Sequence, residues 1–136
     1  MGHQTGLKSW KNCYSHTGEI MKIEIEVVGK GKAIGILDDR NKKTAEKVYK
    51  ALPIEGNANI YFEEVYFTIP VELDYEIPSG KSKCGDISYW PPGNAFCVFY
   101  GDSQPASDVN HIGEITENLD VLKAAQDGDK IIIRKK

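Results

Sequence analysis

The side chains best suited to chemistry are concentrated between Tyr66 and His111. Tyr66 and Phe67, then Tyr89, Trp90, Phe96, Phe99 and Tyr100, supply aromatic area with phenol and indole donors at its edges. Gathered on one surface, such a set makes a pocket or groove for an apolar or proline-bearing ligand. The same rings serve equally well as barrel core, so position decides between the two roles. Tyr89 and Trp90 stand beside Pro91-Pro92, at a rim, and are the better candidates for exposure. A polar cluster follows, made of Gln104, Ser107, Asp108, Asn110 and His111. These groups can exchange hydrogen bonds with a ligand, and histidine is the side chain that changes charge near neutrality. Their competing role is to satisfy the backbone of their own loop. The candidate ligand-binding residues are therefore Tyr66, Phe67, Tyr89, Trp90, Phe96, Gln104, Asn110 and His111.

Other chemistries find less support. Cys13, His16 and His3 would need a further ligand, because structural zinc takes four at regular spacing. No metal and no cofactor is expected. The 3 cysteines are an odd number at unhelpful spacing, which argues against a disulfide framework. Cys84 and Cys97 could face each other across strands, but a buried free thiol is the commoner state. No Ser/His/Asp triad is assignable, no Gly-rich phosphate loop follows a strand, and no catalytic residue is named. The formal charge is -3 and the basic residues are scattered, which argues against a nucleic-acid partner. No window approaches the roughly 18 apolar residues of a membrane span. No signal-peptide core opens the chain, so the expected location is cytoplasmic.

The elements that would position these residues follow from periodicity. Residues 1–20 are polar and aperiodic, and are expected to form a poorly ordered arm, with Met21 fitting as an original start. Residues 21–136 form one domain, since 136 residues is close to a typical single-domain length. Lys22 to Val27 alternates polar and apolar, and Ala33 to Leu37 returns across Gly29-Lys30-Gly31 as a hairpin. Ala45, Val48, Tyr49 and Leu52 make one stripe of a helix over 43–52, started by Asn41 or Thr44 and stopped by Pro53. Asn59 to Phe62 and Val65 to Ile69 are strands, and Val71 to Tyr75 carries a weaker strand pattern.

The centre of the chain is Gly85 to Gly101, GDISYWPPGNAFCVFYG. Its two aromatic and β-branched runs flank Pro91-Pro92-Gly93-Asn94, which suits a type II turn with Gly93 at φ > 0. Ala95 to Tyr100 is apolar at nearly every position, so both faces of that strand are expected to be covered. Residues 102–110 form an irregular loop and His111 to Thr116 a strand. Asn118 caps a helix over 118–126 that Gly128 ends, and Ile131 to Ile133 closes the chain as a strand. Seven or eight strands with two helices predict a mainly β fold, a closed or nearly closed antiparallel barrel capped by its helices.

Several of these segments resemble the cyclophilins. KKTAEKVYKAL is similar to the first cyclophilin helix, and HIGEITENLDVLKAAQDGDKIII to the closing strand, helix and strand. EVYFTIPV, GDISYWPPGNAFCVFYG and QPASDVNHIGEI resemble, more specifically, a small group of bacterial and archaeal cyclophilin-like proteins of unassigned function. The resemblance spans roughly residues 21–135 and implies a cyclophilin-like barrel. It does not carry the isomerase residues with it. Catalytic cyclophilins hold an arginine in a Phe-His-Arg-Ile-Ile-Pro strand, and the corresponding segment is Val65-Tyr66-Phe67-Thr68-Ile69-Pro70, with Phe67 at the arginine position. The family's Gln-Gly-Gly-Asp segment is replaced by Val71 to Pro78, and its pocket tryptophan and histidine have no counterpart in 102–110. Asn94 to Val98 echoes the family's Ser-Gln-Phe-Phe-Ile strand, so an apolar wall is retained.

Isomerisation works against an amide barrier of about 18–20 kcal/mol, which a cationic donor lowers by stabilising the twisted nitrogen. Phe67 supplies no such donor. The expected function is a non-catalytic module, a monomer, binding a peptide or small apolar ligand. A degenerate prolyl isomerase and an unrelated enzyme on the barrel rim stand as alternatives.

Overall fold

The computed structural model describes residues 20–136. The expected arm, with Cys13, His16 and His3, lies outside the described residues apart from Ile20. The strands are β1 (Met21–Val27), β2 (Gly31–Leu37), β3 (Ile54–Asn57), β4 (Asn59–Tyr61), β5 (Glu64–Thr68), β6 (Asp86–Trp90), β7 (Ala95–Phe99), β8 (Asn110–Glu117) and β9 (Lys130–Lys135). Helix α1 (Lys42–Ala51) follows β2, and α2 (Asp120–Lys123) lies between β8 and β9. The sheet order is β3-β9-β1-β2-β8-β6-β7-β5-β4, with every pairing antiparallel.

The two edge strands of that order, β3 and β4, are consecutive in the chain and joined through Ala58. The sheet therefore curls into a nearly closed barrel whose seam is crossed by the chain itself, which leaves little free edge. At the seam, the Phe67 ring lies against Gly56 so closely that a Cβ there would stand 2.5 Å from it. Only glycine permits this approach. Phe67 is 2 % exposed and packs on Phe96 at 5.8 Å between ring centroids. Inside the barrel, Ile23, Ile25, Val27, Ile87, Val98, Ile112, Ile131 and Ile133 form a continuous core. Ala45 and Val48 of α1 and Leu122 of α2 join it.

Several elements depart from the pattern read in the sequence. Strand β3 has no alternation of its own; it exists because it pairs with Ile131 to Ile133 of β9. Val71 to Tyr75 is not a strand. Val71 and Leu73 still rest on the core, but among the described residues the only bridge of the 69–85 loop is Ser79 to Val109. The turn after β6 is a 3₁₀ turn over Pro91–Gly93, and Asn94, not Gly93, takes the left-handed conformation at φ 48°. Glycine is required at 93 for another reason: a Cβ there would meet the Trp90 ring at 2.7 Å. Helix α2 is a single turn, shorter than the expected 118–126, and Asn118 precedes it at φ 61°, bonding the Lys32 carbonyl rather than capping.

Helix α1 is not capped by Asn41 or Thr44 either. The Glu76 carboxylate, from the 69–85 loop, accepts the Thr44 amide at 2.9 Å, the Thr44 hydroxyl at 2.8 Å and the Lys43 amide at 3.3 Å. An anion at that position satisfies otherwise unpaired N–H groups and complements the helix dipole.

Candidate functional site

Strand β7 is buried along its whole length, as its unbroken apolar sequence implies. Phe96 and Val98 enter the barrel, while Ala95, Cys97 and Phe99 face outward under Tyr66 and Trp90. Register explains the grouping. Tyr66 pairs with Cys97, Glu64 with Phe99 and Trp90 with Ala95, so these side chains share the outer face.

On that face lies a cavity of about 230 Å³ lined by Tyr61, Glu64, Tyr66, Trp90, Val109 and the 105–107 segment. Trp90 forms one wall. Its Nε1 donates to Ser107 Oγ at 2.8 Å, and Gly93 leaves room for its ring. The opposite loop is tied to the β4–β5 turn by Glu63, whose Oε1 accepts the Asp102 and Ser103 amides at 2.9 and 3.1 Å. The Glu63 amide in turn donates to Ser103 Oγ at 3.0 Å.

Among the described residues Glu64 is the one carboxylate of the lining, and it is 7 % exposed. Burial pushes its carboxyl above the usual value, and a hydrogen bond from the Cys97 thiol opposes that only in part. The thiol is itself held well above its ordinary range by burial and by the adjacent carboxylate, so it is protonated and can donate. The acceptor that the thiol's geometry fits is the Ala95 carbonyl, 3.8 Å away. Among the described residues, no basic side chain lines the cavity or forms an ion pair with Glu64.

Of the residues proposed from sequence, Tyr66 and Trp90 line this cavity. Phe67 and Phe96 are in the barrel core, each on the inward position of its strand. Tyr89 is fully buried beside them, and its hydroxyl donates to the Val71 carbonyl at 2.5 Å and accepts the Leu73 amide at 3.1 Å. Asn110 is buried too. Its Oδ1 accepts the Glu76 amide at 3.0 Å and its Nδ2 donates to the Asp74 carbonyl at 3.1 Å. Gln104 links two loops, accepting the Ser82 amide at 2.9 Å and donating to the Ser82 and Asp102 carbonyls. Tyr89, Asn110 and Gln104 thus satisfy the backbone of the 69–85 loop, which has no ladder of its own.

His111 does the same in a cluster with a superficial likeness to a triad. Its Nε2 is 2.6 Å from the Lys81 carbonyl, its Nδ1 is 2.7 Å from Ser88 Oγ, and Asp86 Oδ2 is 3.8 Å from that same Nδ1. With Nε2–H donating to the carbonyl, Nδ1 accepts the serine proton and both nitrogens are satisfied. The aspartate does not orient the opposite nitrogen, and Ser88 is fully buried, so the serine is not presented to a substrate.

Sequence reasoning missed Glu64 and Tyr61. A glutamate at the start of an alternating strand reads as a solvated position; only the Glu64–Tyr66 spacing of two marks it as sharing a face with an aromatic residue. A second, more open cavity of about 480 Å³ lies between Glu72–Tyr75 and Pro91, Pro92 and Asn94. Among the described residues, no cluster of histidine, cysteine or carboxylate side chains is arranged to hold a metal. No helix there is long and apolar enough to cross a membrane.

A family model described as Cyclophilin-like matches residues 21–134. The solution structure of a hypothetical protein from Archaeoglobus fulgidus is similar at 29% identity and a TM-score of 0.73, over 86% of this chain and 95% of that one. The structure of McbB in complex with tryptophan is similar at 20% identity and a TM-score of 0.72, over 84% of this chain and 44% of that one. At that identity the second likeness concerns the fold alone. No curated protein matches the chain.

Proposed function

The chain belongs to the cyclophilin-like family, and from that premise we propose that it is a non-catalytic binding module that takes a compact ligand, or one side chain of a peptide, in the cavity walled by Trp90. The observation that carries this reading is the fixing of Trp90 between Gly93 and Ser107 beside an open cavity. A ring held in place before binding loses little freedom when a ligand arrives. The cavity is smaller than the roughly 300–1,000 Å³ typical of sites for drug-sized molecules, which limits the ligand to a single compact group. An isomerase reading lacks its chemical requirement: the family's arginine position holds a core phenylalanine, and among the described residues no cation lines the cavity.

The test is a fragment screen by two-dimensional amide NMR on the full chain. Binding fragments should shift the Trp90 indole, Tyr66 and Ser107 signals as a group. Hits whose shifts map only elsewhere would overturn the assignment.

A further inference from the structure

The chemical class of the ligand follows from the one charged group that the described residues place in the lining. We propose that the cavity binds an organic ammonium ion, its charge set against the Glu64 carboxylate among Tyr61, Tyr66 and Trp90. The proposal rests on the reading of this cavity as a ligand site.

A carboxylate removed from water needs a partner, because burial of an isolated charge is costly. Glu64 is 7 % exposed, and among the described residues it has only the Cys97 thiol, a weak donor. Other buried carboxyls of this protein are better provided. Glu24 has Arg134 at 2.7 Å and Lys136 at 3.4 Å, and Asp86 has Arg40 at 3.5 Å and the Lys83 amide at 2.9 Å. Glu64 therefore stands out as a buried carboxylate lining a cavity without a cation. A ligand cation would supply the missing partner. An anion would meet repulsion, and a neutral apolar group would leave the carboxylate unpaired.

The rest of the lining suits the same ligand. Tyr61, Tyr66 and Trp90 carry electron-rich faces that attract cations, tryptophan most strongly. Pro105, Ala106 and Val109 add apolar surface with no competing charge. A cavity of about 230 Å³ holds one alkylammonium head group and little more. Burial raises the Glu64 carboxyl, and a bound cation would lower it again, so the group is poised to gain from that ligand.

The experiment compares charged probes with neutral partners of like shape: choline with 3,3-dimethylbutan-1-ol, and benzylamine with benzyl alcohol. Affinity is measured at pH 8 by calorimetry and by shifts of the Trp90 indole signal. At least one cation should bind about tenfold or more tighter than its neutral partner. Glu64→Gln, which keeps shape and removes charge, should cut that preference at least about threefold, the aromatic faces retaining the remainder, while leaving the neutral probe within about threefold. Urea midpoints of the variant establish that it is folded. If neutral probes bind the cavity as well as the cations, or if Glu64→Gln leaves the preference intact, the ammonium assignment fails and the binding cavity stands. If fragments of other chemistry also leave Trp90, Tyr66 and Ser107 unmoved, the cavity reading fails with it.

Discussion

The indole nitrogen of Trp90 donates to Ser107 Oγ at 2.8 Å, across 17 residues of chain. This bond joins the end of β6 to the 105–107 segment, two parts of the cavity's lining. Ser107→Ala removes the acceptor from an exposed pair. The stability cost should stay near or below the roughly 0.5–1.5 kcal/mol of an ordinary hydrogen bond. Ligand affinity should fall about three- to tenfold, because the ring is no longer held before binding. Calorimetry together with urea unfolding separates the two effects; a large stability loss with unchanged affinity would assign the bond to folding alone.

The Glu76 cap on α1 makes a prediction about pH. Burial pushes its carboxyl up, but the Thr44 amide and hydroxyl and the Lys43 amide outweigh this and hold it below the usual value of 4.5. A carboxyl lowered in the folded state adds stability above its unfolded value, and that stability is lost as pH falls through the lowered folded value. Glu76→Gln should cost about 1 kcal/mol at pH 7, the usual scale of a lost cap. Wild type and variant should converge in acid. A difference independent of pH would mean that the carboxylate charge is not what the cap uses.

Much of the barrel was legible because one-dimensional patterns determine it. Lys22 to Val27 alternates, and its apolar members Ile23, Ile25 and Val27 are the ones that enter the core. Ala95 to Phe99 is apolar throughout because Trp90, Tyr66 and the following loop cover the face that would otherwise be wet. Strand β3 was not legible, since Glu55, Gly56 and Asn57 have no strand preference and depend on β9. The 69–85 loop hid the roles of Asn110, His111 and Tyr89, because a residue that satisfies a distant backbone looks in sequence like one that awaits a ligand. Tyr66 and Trp90 were found as aromatics, but their shared face depends on the register of three strands. Glu64 was invisible for the reason that makes it interesting: a carboxylate is expected in water.

Glu64 and Glu76 should behave oppositely with pH. Burial raises the Glu64 carboxyl above 4.5, with the Cys97 thiol pulling it only part of the way back. A group raised in the folded state stabilises when protonated, and that contribution is lost as pH rises through the folded value. Glu64→Gln should therefore match the wild type in acid and be the more stable protein at pH 8, read as the urea midpoint. A variant less stable than wild type at pH 8 would show that the carboxylate already has a strong partner in the free protein.

Phe67 bears on the isomerase alternative. Losing one transition-state donor typically costs about 10²–10³ in rate, and here the position belongs to the core. The protein should show no prolyl isomerisation above the uncatalysed rate in a peptide assay. Phe67→Arg should not create activity, and should destabilise the seam by several kcal/mol through an unpaired buried charge. A wild-type kcat/KM in the 10⁴–10⁸ M⁻¹s⁻¹ range usual for enzymes would make the protein an isomerase by some other arrangement.

The central claim, that Trp90 serves a ligand and not the core, is tested most directly by Trp90→Ala, with affinity for the tightest NMR-screened fragment and unfolding free energy measured on the same samples. The partly exposed ring lines a cavity, so affinity should fall at least tenfold while stability falls by less than about 2 kcal/mol. A loss of about 3–5 kcal/mol, the usual cost of truncating a core aromatic, with fragment affinity unchanged, would contradict it.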